Sequence, residues 1–73
     1  MSIILSDNEF VTFQKIIFNE VGIDLQSSKK LLVQSRLLKR LLHYEFNSYV
    51  EYLRLVQINK QERIEMINLI TTN

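Results

Sequence analysis

The stretch SSKKLLVQSRLLKRLLHY, residues 27–44, constrains the fold of this chain more than any other. It carries Lys29, Lys30, Arg36, Lys39 and Arg40 and not one acidic residue. Read as a helix at roughly 100° per residue, it gathers Lys29, Arg36, Lys39, Arg40 and His43 within about one third of the circumference and leaves Lys30 outside. Leu31, Leu37, Leu38, Leu41 and Leu42 occupy a separate arc, wide enough for the core-facing stripe of a small helical bundle. One helix is thus expected to supply both core and the main binding surface.

The segments on either side also read as helices. Ser6 followed three residues later by Glu9 has the spacing of a capping box, and Phe10, Phe13, Ile17 and Val21, broadened by Ile16 and Phe18, define an apolar face that Gly22 ends. In the connector IDLQ, Ile23 and Leu25 alternate with polar residues, so both are expected to point inward. The hydroxyls of Ser27 and Ser28 are candidate caps for the second helix, although lysines in its first turn oppose the helix dipole by about 0.3–1 kcal/mol each. Ser48 with Glu51, and Asn59 with Glu62, repeat the capping-box spacing. They open a third helix with Tyr49, Tyr52, Leu53 and Val56 at apolar spacing, and a fourth whose apolar face is Ile64, Ile67, Leu69 and Ile70 with Met66 beside it. The expectation is an all-α fold, a small four-helix bundle with helices at about 7–21, 27–44, 48–57 and 60–71.

A chain of 73 residues has room for one domain and buries only about 60% of its unfolded surface. Without cysteine and with a single histidine it can assemble neither a disulfide framework nor the usual zinc ligand sets, so no metal site is expected. No apolar run is long enough to span a membrane, and MSIILSDNEF lacks the basic region of a signal peptide, which places the protein in the cytoplasm. The net charge of +1 hides an asymmetry, since residues 27–44 hold five of the nine cations. The plainest reading of that basic face is a solvated surface whose lysine stems shield leucines. His43 near a helix end suits the helix dipole, and Tyr44, Tyr49 and Tyr52 read as core or rim before they read as a stacking platform.

Taken in order, GIDL at 22–25, Lys29 with V-x-x-R-L-x-x-R at 33–40, S-x-x-E-Y-L at 48–53 and E-x-x-x-x-I-N-x-I-T-T-N at 62–73 resemble the amino-terminal helical domain of the CheR family. These are chemotaxis receptor methyltransferases, which use S-adenosylmethionine to methylate receptor glutamates. The resemblance covers nearly the whole chain and makes residues 1–73 the N-terminal domain, with the catalytic α/β domain absent. It implies that Arg36 matches a substrate-contacting arginine, that Lys39 and Arg40 match the basic positions after it, and that Lys29 matches the lysine opening the second helix. Asn73 matches an asparagine that lies against the cofactor where the two domains meet. Leu42 stands where some relatives carry a further arginine, and Glu45 where they usually carry a turn glycine.

The implied partners are the chemoreceptor cytoplasmic domain and the enzyme's own catalytic domain. Methyl transfer to a glutamate needs no strong base, because a carboxylate of ordinary pKa about 4.3 is already ionised at pH 7. It needs donor and acceptor held in line, in a cofactor pocket normally built on a doubly wound α/β domain with a glycine-rich loop. With one glycine and no strand-loop-helix unit, this chain is expected to hold no catalytic residue and to bind no cofactor alone. Two other readings compete: a protein-interaction module without methyltransferase chemistry, and a nucleic-acid-binding module. Near-neutral total charge and the lack of helix-turn-helix spacing argue against nucleic acid.

Overall fold

The computed structural model describes residues 3–72. Four α-helices, α1 (Asp7–Val21), α2 (Lys30–His43), α3 (Tyr49–Ile58) and α4 (Lys60–Thr71), form a small bundle, with a 3₁₀ turn at Ser27–Lys29 leading into α2. No strand occurs among the described residues. The bounds of α1 and α4 are those the sequence predicts; α3 begins and ends one residue later. The second element differs most, because its first three residues wind as the 3₁₀ turn. Neither Ser27 nor Ser28 caps α2: its N-cap is Lys29, and no side chain bonds there.

Local chemistry explains the helix ends. The Ser6 hydroxyl accepts from the Glu9 amide at 3.1 Å while the Glu9 carboxylate accepts from the Ser6 amide at 2.8 Å, a complete capping box. Gly22 closes α1 at φ 73° and donates its N–H to the Phe18 carbonyl. The other two boxes are only half built. The Ser48 hydroxyl accepts from the Glu51 amide, but the Glu51 carboxylate takes the Asn47 amide instead. Asn59 alone separates α3 from α4, and its side chain accepts from the Glu62 amide at 3.0 Å while the Glu62 carboxylate points elsewhere.

The turn after α2 is a Schellman motif. Glu45 N–H donates to the Leu42 carbonyl at 3.1 Å and Phe46 N–H to that of Leu41 at 2.8 Å, which requires Glu45 to adopt φ 58°. A side chain in this left-handed region costs about 1–2 kcal/mol, and glycine avoids that cost but loses about 0.5–1 kcal/mol through its freer unfolded chain. Glu45→Gly is therefore expected to stabilise the domain by about 0.5–1 kcal/mol, raising the urea midpoint at unchanged slope. An equal or lower midpoint refutes this account of the turn.

The core is built from Leu5, Phe10, Phe13 and Ile17, from Val33, Leu37 and Leu41 of α2, from Tyr49, Tyr52, Leu53 and Val56 of α3, and from Met66, Ile67 and Ile70 of α4. Phe13 meets the Tyr49 ring edge-on at 6.5 Å and 87°. The Tyr49 hydroxyl donates to the Gln34 carbonyl at 2.6 Å, and the Gln34 side chain accepts from the Leu5 amide, so α2 anchors both α3 and the leading segment. Several residues expected inside are outside. Leu31 and Leu42 are 74% and 62% exposed, and Phe18, Val21, Ile23 and Ile64 are also exposed, while Leu38 is half-buried. The inward stripe of α2 is Val33, Leu37 and Leu41 at i, i+4 and i+8, roughly 120° around the helix from the stripe of Leu31, Leu38 and Leu42.

Candidate functional site

Helix α2 and its entry turn carry the candidate site, and their cations divide into three sets. Arg40 and Arg36 turn onto α4. Lys29 and Lys39 are exposed and form no ion pair among the described residues. His43 is also exposed, in the last turn of α2, with its ring edge against Tyr44 at 4.9 Å. Lys30 pairs with Asp7 at 2.7 Å on the surface, and that contact holds the Asp7 carboxyl below its usual range. Because Lys29 sits in the 3₁₀ turn, it does not follow the helical arc that the sequence suggests.

Arg40 meets Glu62 of α4, and here four polar side chains close a buried centre. Glu62 is only 5% exposed. Its Oε1 accepts from Arg40 Nη2 at 2.7 Å and from the Tyr44 hydroxyl at 2.7 Å. Its Oε2 accepts from Arg40 Nε at 2.8 Å and from the Tyr52 hydroxyl at 2.6 Å. The fork geometry is the bidentate form that makes arginine–carboxylate pairs strong, and the Arg40 guanidinium also lies 5.6 Å from the Tyr44 ring centre. Burial is the largest single influence on the Glu62 carboxyl and pushes it up. The hydrogen bonds from Arg40, Tyr52 and Tyr44 together outweigh it and hold the group at about 2. Burial and the Glu62 hydrogen bond push the Tyr52 hydroxyl well up, and Tyr44 rises chiefly through its bond to Glu62.

Arg36 acts at the other end of α4. Its Nη1 donates to the carbonyls of Leu69 and Ile70, each at 3.0 Å, and to that of Thr72. Helix C-termini leave carbonyls without intrahelical donors and carry partial negative charge, so a guanidinium there satisfies both. A third arginine works alike: Arg63 donates to the Val56 and Gln57 carbonyls at the end of α3 and reaches Glu20 of α1 at 2.7 Å. A depression of about 260 Å³ between α2 and the end of α4 is lined by Arg36, Lys39, Leu69 and Thr72. Three of the four predicted contact residues, Arg36, Lys39 and Arg40, share α2, and Lys29 lies one residue before it. Asn73, predicted at the cofactor, lies outside the described residues. The single glycine serves as the cap of α1 and not in a glycine-rich loop.

Sequence reasoning missed Glu62 because its spacing from Asn59 imitates a capping box. A signal was present: Glu62 falls four residues before Met66 and eight before Ile70, in register with the inward stripe of α4.

The description "CheR methyltransferase, all-alpha domain" matches residues 8–71. The chain belongs to the CheR family. It is similar to the chemotaxis protein methyltransferase of Borreliella burgdorferi, 33% identical over 100% of this chain and 26% of that protein. It is also similar to chemotaxis protein methyltransferase 2 of Vibrio cholerae, 34% identical over 97% of this chain and 25% of that protein. The chain spans about a quarter of the length of these relatives. No solved structure matches it. In this CheR domain, no helix among the described residues is long and apolar enough to cross a membrane.

Proposed function

We propose that this chain is the substrate-docking domain of a cytoplasmic, S-adenosylmethionine-dependent, CheR-type protein-glutamate O-methyltransferase, and that α2 faces the chemoreceptor. The observation that carries the reading is the charge of α2 and its entry turn: five cations and no acid over residues 27–44, in a domain of near-neutral total charge. Methylation regions of chemoreceptors resemble acidic helical bundles, and a cationic face steers such a partner and sets its register more than it adds affinity. Among the described residues, Lys39 on α2 and Lys29 in its entry turn form no ion pair. Arg36 and Arg40 stand beside them with one guanidinium edge engaged in the fold. In the complete enzyme the catalytic domain holds S-adenosylmethionine, which supplies the methyl group, and Asn73 lies on the cofactor side of the junction. The task of the described residues is to present the receptor glutamate to that domain.

The test is a titration of the isotope-labelled chain with a chemoreceptor cytoplasmic fragment at low and moderate salt, with duplex DNA as control. Amide shifts are expected at Lys29, Arg36, Lys39 and Arg40 with receptor only, shrinking as salt rises because exposed pairs contribute about 0–1 kcal/mol each. Lys39→Glu is expected to weaken binding several-fold without lowering the melting temperature. Shifts with DNA in place of receptor would refute the docking reading.

A further inference from the structure

We infer that the outward leucine stripe of α2, Leu31, Leu38 and Leu42, is the main contact for one amphipathic helix of the partner, a helix with an apolar seam at heptad spacing and carboxylates on its flank. The inference deepens the docking reading above and rests on it. At 100° per residue the three leucines fall within about 40° of one another, with Leu31 and Leu42 exposed at the ends of the row and Leu38 half-buried between them. Their spacing, i, i+7 and i+11, is that of the seam along which two helices pack. Leu31 is 74% and Leu42 is 62% exposed, more than any other leucine of the core-bearing helices, and an aligned apolar row of this kind on a small domain marks an interaction surface.

Charge selects the occupant. Ser35 and Lys39 border the stripe on one side, His43 follows one turn after Lys39, and α2 offers no acid. A second copy packed along the same seam sets cations against cations, whereas a helix with acidic flanks meets them with opposite charge. The exposed apolar residues Val11 and Phe18 on α1 line a depression of about 480 Å³ together with Lys15 and Asp24, and that mixed charge selects no partner. Ile58 stands alone at the corner between α3 and α4. The apolar seam supplies affinity that salt does not screen, and the lysines supply orientation.

The experiment measures binding of a chemoreceptor cytoplasmic fragment to the complete methyltransferase by calorimetry at about 50 and 300 mM salt. Leu31→Ser with Leu42→Ser is expected to weaken binding by at least thirty-fold, while Leu31→Met with Leu42→Met restores it to within threefold. Lys39→Ala is expected to cost about threefold, in line with an exposed ion pair. Phe18→Ala is expected to have no effect, and circular dichroism melting confirms that each variant is folded. Receptor binding that survives the serine pair, or that is lost with Phe18→Ala instead, overturns the seam and leaves the docking reading intact. Failure of the unsubstituted enzyme to bind receptor overturns both. Self-association abolished by the serine pair makes the occupant a second copy and overturns the acidic helix.

Discussion

Arg40→Met is expected to remove about 3 kcal/mol of folding free energy, measured by urea denaturation at pH 7. The reason is what remains behind. Glu62, 5% exposed, keeps its charge in the core with only the Tyr44 and Tyr52 hydroxyls to answer it. Breaking a buried pair by removing one partner typically costs about 3–5 kcal/mol, and the Arg40 side chain, 25% exposed, lets some water reach the site, which favours the lower end. A domain of this size has a total stability of only about 5 kcal/mol, so the variant keeps about 2 kcal/mol and unfolds at a much lower urea concentration. Removing both charges should hurt less than removing one. Arg40→Met with Glu62→Met leaves the Tyr52 hydroxyl without an acceptor, at about 1–3 kcal/mol, and adding Tyr52→Phe is expected to recover most of that loss. Additive effects in the Arg40 and Glu62 cycle, with a coupling under about 0.5 kcal/mol, would show that the pair behaves as a surface ion pair and would refute the buried-centre account.

The same pair shows how far the sequence carries. Caps and apolar periods fix α1 and α4 to the residue, because the full capping box and closing Gly22 of α1 and the Asn59 cap of α4 are local signals. The inward face of α2 is not fixed locally. Paired leucines at 31–32, 37–38 and 41–42 leave two stripes of similar apolarity, one through Val33, Leu37 and Leu41 and one through Leu31, Leu38 and Leu42. The choice between them is made by distant partners: Gln34 bonds Leu5 and Tyr49, Arg36 reaches the end of α4, and Arg40 meets Glu62. Those contacts span 15 to 34 residues in sequence. The cationic arc is legible as composition, but whether a given arginine serves a partner or a helix end is a tertiary fact. Among the described residues, Lys29 and Lys39 form no ion pair, and Leu31 and Leu42 of the second stripe are exposed.

Acid is expected to destabilise the domain in a window set by Glu62. Its folded carboxyl lies at about 2, against an ordinary value of 4.5, so the native state binds this proton less readily than the unfolded chain does. The stabilisation is therefore fully present above about pH 4.5 and is lost as pH falls through about 2. At 1.36 kcal/mol per unit, the difference is worth on the order of 3 kcal/mol. Asp7, exposed and lowered by Lys30, and Glu20, half-buried and lowered by Arg63, act in the same direction, the Asp7 pair being the more readily screened by salt. Urea midpoints measured from pH 6 to pH 2 should thus fall mainly below pH 4.5, and moderate salt should remove little of the fall. In the variant carrying Arg40→Met, Glu62→Met and Tyr52→Phe, which has no carboxylate at that point, the same series should be nearly flat between pH 4.5 and pH 3. A triple variant that loses stability over this interval as steeply as the unsubstituted protein would assign the acid sensitivity to the surface pairs and remove Glu62 from the account.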